Sequence, residues 1–134
     1  MNVTHIEHIG IAVKNLTDAI RYYEEVLGLK CYKTEVVQDQ RVRTAFFQVG
    51  GTKIELLEST SPEGPLHRFL ETRGEGVHHI AFAVQGLNQA LRESESKGIQ
   101  LIDAHPKMGA EGLQIAFLHP HSTHGVLTEL CEHP

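Results

Sequence analysis

No stretch of this sequence approaches the roughly 18 consecutive apolar residues of a membrane span, and its 12 Lys and Arg form no run against 17 Asp and Glu. The first lack excludes a transmembrane helix. The second, with a net charge of -5, speaks against nucleic acid or anionic lipid as a partner. The N-terminal stretch MNVTHIEHIGIAV has neither the basic region nor the long apolar run of a signal peptide, so the expected location is the cytoplasm. Cysteine is scarce, too. Cys31 and Cys131 share no metal-type spacing, and in a cytoplasmic chain such a pair is read as two reduced thiols. Low-complexity segments are missing, and 134 residues suffice to bury a core, so a single domain that folds without staples is expected.

What is abundant is histidine, ten residues in all. Imidazole is the commonest side-chain ligand of transition metals, but a surplus of it also decorates surfaces, so position within elements has to decide.

The chain repeats itself. His8-Ile9-Gly10-Ile11-Ala12-Val13 recurs as His79-Ile80-Ala81-Phe82-Ala83-Val84, and Leu16 and Ala19 are echoed by Leu87 and Ala90 at the same offset. A second echo closes each half, Ile54-Glu55-Leu56-Leu57-Glu58 against Thr128-Glu129-Leu130-Cys131-Glu132, with Gly50-Gly51 and Gly125 upstream as turn signals. Residues 16 to 27 carry helical spacing, with Asn15 as N-cap and Gly28 as stop, and 87 to 97 repeat it more weakly. Segments near 30–37, 41–49 and 52–58 read as strands, as do 99–104, 113–119 and 126–131. The expected class is α+β: two β-α-β-β-β modules, about 1–60 and 75–134, joined by a helix over about 61–74 whose apolar face is Leu66, Phe69 and Leu70, together forming a cupped mixed sheet.

Alternation along a strand puts Ile9, Ile11 and Val13 on one face and His8, Gly10 and Ala12 on the other; His79 stands in the same way with Ala81 and Ala83. Glu55 and Glu129 oppose their apolar neighbours by the same rule. A carboxylate placed inward on an apolar strand costs several kcal/mol unless it is paired or binds a metal. Each module offers one such His and one such Glu, so His8, Glu55, His79 and Glu129 are the expected ligands of a single divalent ion. Two imidazoles and two carboxylates suit Co, Mn, Ni, Zn or Fe(II), with open positions for substrate oxygens. Among the other histidines, His78 points to the opposite face from His79, the loop HPHSTHG holds His119, His121 and His124 without a ligand pattern, and His5, His67, His105 and His133 are read as solvated.

The segments HIGIAVKNLTDAIRYYEEVLGL, GEGVHHIAFAV and AFLHPHSTHGVLTEL resemble the vicinal oxygen chelate (glyoxalase/bleomycin resistance/dioxygenase) superfamily over essentially the whole chain, and within it the methylmalonyl-CoA epimerases most. The resemblance implies the same four ligands, a divalent metal with cobalt first, an acyl-CoA substrate, and epimerisation of (R)- and (S)-methylmalonyl-CoA through an enolate, with Glu129 acting as acid/base as well as ligand; a homodimer is a weaker implication. Certain relatives carry a second glutamate on the third strand, where Thr44 stands here. Gln48 and Glu58 lie near in sequence but read as solvent-facing strand residues. The loop KMGAEG, 107–112, resembles a stretch that borders the substrate in relatives, and reads equally well as a glycine-rich turn. Two alternatives stay open: a glyoxalase-type lyase acting on glutathione hemithioacetals with the same ligand set, and a metal-free small-molecule binding protein of the same fold.

Overall fold

The computed structural model describes residues 1–134. The chain divides into two compact units, a continuous one of Ile9–His78 and a split one of Met1–His8 with His79–Pro134. Strand β1 is Asn2–Ala12, and the first half continues with α1 (Leu16–Arg21), β2 (Cys31–Val37), β3 (Val42–Val49) and β4 (Thr52–Ser59). Helix α2 (Pro65–Arg73) leads to β5 (Gly76–Gln85), α3 (Leu87–Ser96), β6 (Lys107–Met108), β7 (Gln114–Leu118) and β8 (Thr128–Glu132). Each half thus runs β-α-β-β-β, the α+β order expected of the repeat. No helix is long and apolar enough to cross a membrane.

In the continuous unit β2, β3 and β4 form an antiparallel ladder, with Phe46 opposite Glu55 and Thr44 opposite Leu57. Helix α1 is capped by Asn15, whose side chain accepts from the Asp18 amide at 3.0 Å. The expected single helix to residue 27 instead widens into a π-turn at Tyr22–Val26, closed by the Leu27 amide on the Tyr22 carbonyl. The wider turn leaves Tyr23 against Phe47, ring centroids 5.3 Å apart, and Gly28 ends it at φ 70, a conformation that glycine adopts without strain. Val13, Leu16, Ala45, Phe47 and Leu56 form one core cluster, and Leu66 of α2 buries against Ala12, Val42 and Leu57 in another.

In the split unit β5 and β8 pair in parallel, with Ala81 opposite Glu129, and β8 pairs with β7 antiparallel, with Phe117 opposite Glu129. Leu87, Ala90 and Leu91 of α3 close the core over Val84, Leu118 and Leu130. Burying a leucine fully stabilises by about 1.5–3 kcal/mol, which holds this short helix in place. The strand expected at 99–104 is not formed. Only one bridge occurs there, Leu101 opposite Leu118, and the strand on this edge is the two-residue β6. Asp103 is the cause: its carboxylate takes the Phe117 amide at 2.9 Å, the place a ladder carbonyl would occupy, while the Ile102 and Asp103 amides share the Phe117 carbonyl. Ile99 and Leu101 still pack on the core, so their apolar pattern is real although the strand is not.

The closing glutamates have an unforeseen use. Glu58 and Glu132 follow Glu55 and Glu129 by three residues, an odd spacing that sends them to the opposite face of the strand. There Glu58 accepts from the Leu16 amide at 2.8 Å, and Glu132 accepts from Gly86 and Leu87 at 2.6 and 3.0 Å. Each repeat therefore pins the start of its own helix with its last glutamate. Glu58, read from sequence as solvent-facing, is instead held between that helix start and Arg43.

Candidate metal centre

His8, His79 and Glu129 all lie in the split unit and all are buried. The strands dictate their meeting. Ala81 stands beside Glu129 in the parallel pair, and His79, two residues earlier on β5, shares that face; Phe117 on β7 lies opposite Glu129 and packs edge-on against the His79 ring at 5.7 Å. Small Ala81 leaves the space into which the imidazole and carboxylate project.

The ligand atoms converge tightly. The two Nε2 atoms are 3.1 Å apart, His8 Nε2 lies 3.4 Å from Glu129 Oε2, and His79 Nε2 lies 3.5 Å from Glu129 Oε1. The ligand atoms of all three residues fall within 4.8 Å of one another. Two imidazole nitrogens each about 2.0–2.1 Å from one ion stand roughly 3 Å apart, so these separations match a shared ion. Two further observations fit. Glu129 Oε2 is buried without a hydrogen-bond partner, and such an atom is costly unless something positive faces it. The donor set itself, two imidazoles and a carboxylate, is the chemistry of a divalent transition ion with open positions.

Glu55 is buried on β4 beside Phe46, in the continuous unit. Thr44 is fully buried, and its hydroxyl donates to the Glu35 carbonyl at 3.2 Å; an alcohol with its proton engaged in this way is no base. His78 packs edge-on against Phe69 at 4.8 Å, as a structural residue does. In the loop 119–124, His119 Nδ1 accepts from the His121 amide, which makes it a local turn brace. In the 107–112 loop, Gly109 is required by packing, since a Cβ there would lie 2.8 Å from Ile115 Cδ1. Neither Cys31 nor Cys131 forms a disulfide.

One residue of the centre escaped the sequence reading. Glu7 is buried, and its Oε1 lies 2.9 Å from His8 Nδ1, while its Oε2 lies 3.7 Å from Nε2 of the exposed His133. Alternation gives no reason to pair strand neighbours. The available signal was an acid inside the apolar run IEHIGIAV, where burial demands a partner.

Residues 7–117 match the family described as the Glyoxalase/Bleomycin resistance protein/Dioxygenase superfamily. The uncharacterized protein YqjC of Bacillus subtilis is 47% identical over 97% of this chain and 93% of its own length. The ethylmalonyl-CoA/methylmalonyl-CoA epimerase of Cereibacter sphaeroides is 32% identical over 96% of this chain and 97% of its own length. A solved methylmalonyl-CoA epimerase in complex with methylmalonyl-CoA and ammonium superposes with a TM-score of 0.94 at 36% identity, over 98% of this chain and 95% of that one. The chain therefore belongs to the glyoxalase/bleomycin resistance protein/dioxygenase superfamily, and methylmalonyl-CoA epimerases are among its full-length relatives.

Proposed function

We propose that this chain is a metal-dependent epimerase that interconverts (R)- and (S)-methylmalonyl-CoA. The observation that carries the reading is the buried convergence of His8, His79 and Glu129, whose Oε2 makes no hydrogen bond, in a chain whose full-length relatives include enzymes named for that reaction. His8, His79 and Glu129 would hold the ion, and the repeat assigns Glu55, the partner of Glu129 in the first module, as the fourth donor. A divalent ion held there would supply positive charge that stabilises the anion formed when the C2 proton between the thioester and the carboxylate is removed.

Glu129 has the second task. Its carboxylate is an acceptor held by the β7–β8 and β5–β8 ladders, and it takes the C2 proton from one face of the substrate. Its burial keeps bulk water from competing for that proton. Return of a proton to the opposite face inverts the centre, and Thr44 does not provide it. The acyl-CoA is the expected partner, with cobalt first among the candidate ions.

The test is conversion of one pure epimer into the other by metal-reloaded protein, run beside turnover of methylglyoxal with glutathione. Formation of the second epimer without loss of methylglyoxal supports the reading; the reverse pattern makes the chain a glyoxalase-type lyase. Activity on neither, with no ion bound, leaves the small-molecule binding protein as the function.

A further inference from the structure

We infer that Glu7 is a positioning residue for the metal centre, one that fixes His8 in the Nδ1–H tautomer and so keeps the Nε2 lone pair aimed at the ion. This rests on the metal reading above and adds a residue to the same site.

The geometry is specific. A carboxylate accepts hydrogen bonds and does not donate them, so the 2.9 Å contact between Glu7 Oε1 and His8 Nδ1 places the ring proton on Nδ1. The other ring nitrogen is then a lone-pair donor, and it is the atom that lies 3.1 Å from His79 Nε2 and 3.4 Å from Glu129 Oε2. Ring orientation and tautomer are thus set by one side chain that is itself buried. Carboxylate partners of this kind raise the basicity of a ligating imidazole, and their loss costs about 10–100-fold in metal affinity.

The repeat sharpens the case. The two modules agree from His8 and His79 onward, yet the residue before each differs: Glu7 in the first module, His78 in the second, where the ring packs on Phe69. A carboxylate in that position is therefore not a requirement of the fold, because the second copy forms the same strand with an imidazole. His133 Nε2 also approaches Glu7 Oε2, at 3.7 Å.

The experiment compares wild type, Glu7→Gln and Glu7→Ala in two measurements: titration of metal-stripped protein with Co(II), and the nitrogen-15 shifts of the His8 ring in the metal-free state. Affinity is expected to fall about 10–100-fold in Glu7→Ala and less in Glu7→Gln, which keeps an acceptor oxygen. In parallel, the His8 proton moves from Nδ1 toward Nε2 in Glu7→Ala. Variants that bind Co(II) as wild type does overturn the inference and leave the proposed function standing. Weakened binding with an unchanged His8 tautomer overturns it as well, since Glu7 would then act through the fold alone. If wild type itself binds no Co(II), this inference and the metal reading fall together. Should Glu7→Ala not fold, the near-isosteric Glu7→Gln carries both measurements.

Discussion

At the scale of single residues, the centre consists of two imidazoles and one carboxylate whose donor atoms stand 3.1 to 3.5 Å apart, with one oxygen left without a hydrogen bond. Glu129→Gln keeps the shape and removes the base, so proton exchange at C2 of the substrate should fall by at least about 100-fold, while far-ultraviolet circular dichroism stays that of the wild type. Exchange within a few-fold of wild type would remove Glu129 from the chemistry. His79→Ala should abolish stoichiometric binding of Co(II), as read by metal analysis after gel filtration, because the convergent set of His8, His79 and Glu129 loses one of its two imidazoles. His8, His79 and Glu129 were legible in sequence because each sits at the same place in a repeated strand, and because alternation puts each opposite apolar neighbours. Glu7 was not legible: its contact runs between adjacent residues, which strand periodicity assigns to opposite faces.

At the scale of elements, the recurring device is the pair of glutamates three apart at the end of each module. The second caps a helix start in each case, Glu58 on the Leu16 amide and Glu132 on those of Gly86 and Leu87. Amide donors from Leu87 and Gly86 hold the Glu132 carboxyl below the usual carboxylate range. A depressed folded value contributes stability that is complete above the unfolded value of about 4.3 and is lost as pH falls through the folded one. Glu132→Gln should therefore cost about 1 kcal/mol at neutral pH, and the difference from wild type should vanish progressively below about pH 4, as urea unfolding at several pH values will show. A constant difference down to pH 2 would refute the capping charge. Asn15→Ala should cost about 1 kcal/mol at every pH, because its amide oxygen does not titrate. The strands other than β6 and the three α-helices were legible from periodicity and turn residues, whereas Lys107 and Met108 of β6 read as part of a glycine-rich loop. The strand at 99–104 was misread because Asp103 replaces a backbone carbonyl in the ladder, a substitution that apolar periodicity does not register. The π-turn after α1 escaped for a similar reason, since Tyr23 and Val26 satisfy helical spacing whether the turn is α or π.

At the scale of the whole molecule, a bound ion is linked to folding, because the unfolded chain does not bring His8, His79 and Glu129 together. At a free concentration of 100 times the Kd, one ion stabilises by about 2.7 kcal/mol, which for a chain of this size raises the melting temperature by about 10 °C. Chelation should reverse that rise, and scanning calorimetry with and without Co(II) checks it; the same melting temperature in both states would mean that no ion belongs to the fold. The α+β class and the superfamily were legible from the internal repeat, since duplicated β-α-β-β-β modules have few alternatives. The proposed substrate rests on family resemblance alone, because the residues that choose between an acyl-CoA and a glutathione hemithioacetal leave no periodic trace. The central claim, that the ion and Glu129 together labilise the proton between a thioester and a carboxylate, meets its most direct test in deuterium oxide. Deuterium incorporation at C2 of methylmalonyl-CoA is followed by NMR with protein as purified, after chelation, and after reloading with Co(II). The account predicts incorporation that disappears on chelation and returns on reloading; incorporation indifferent to metal, or none under any metal, would contradict it.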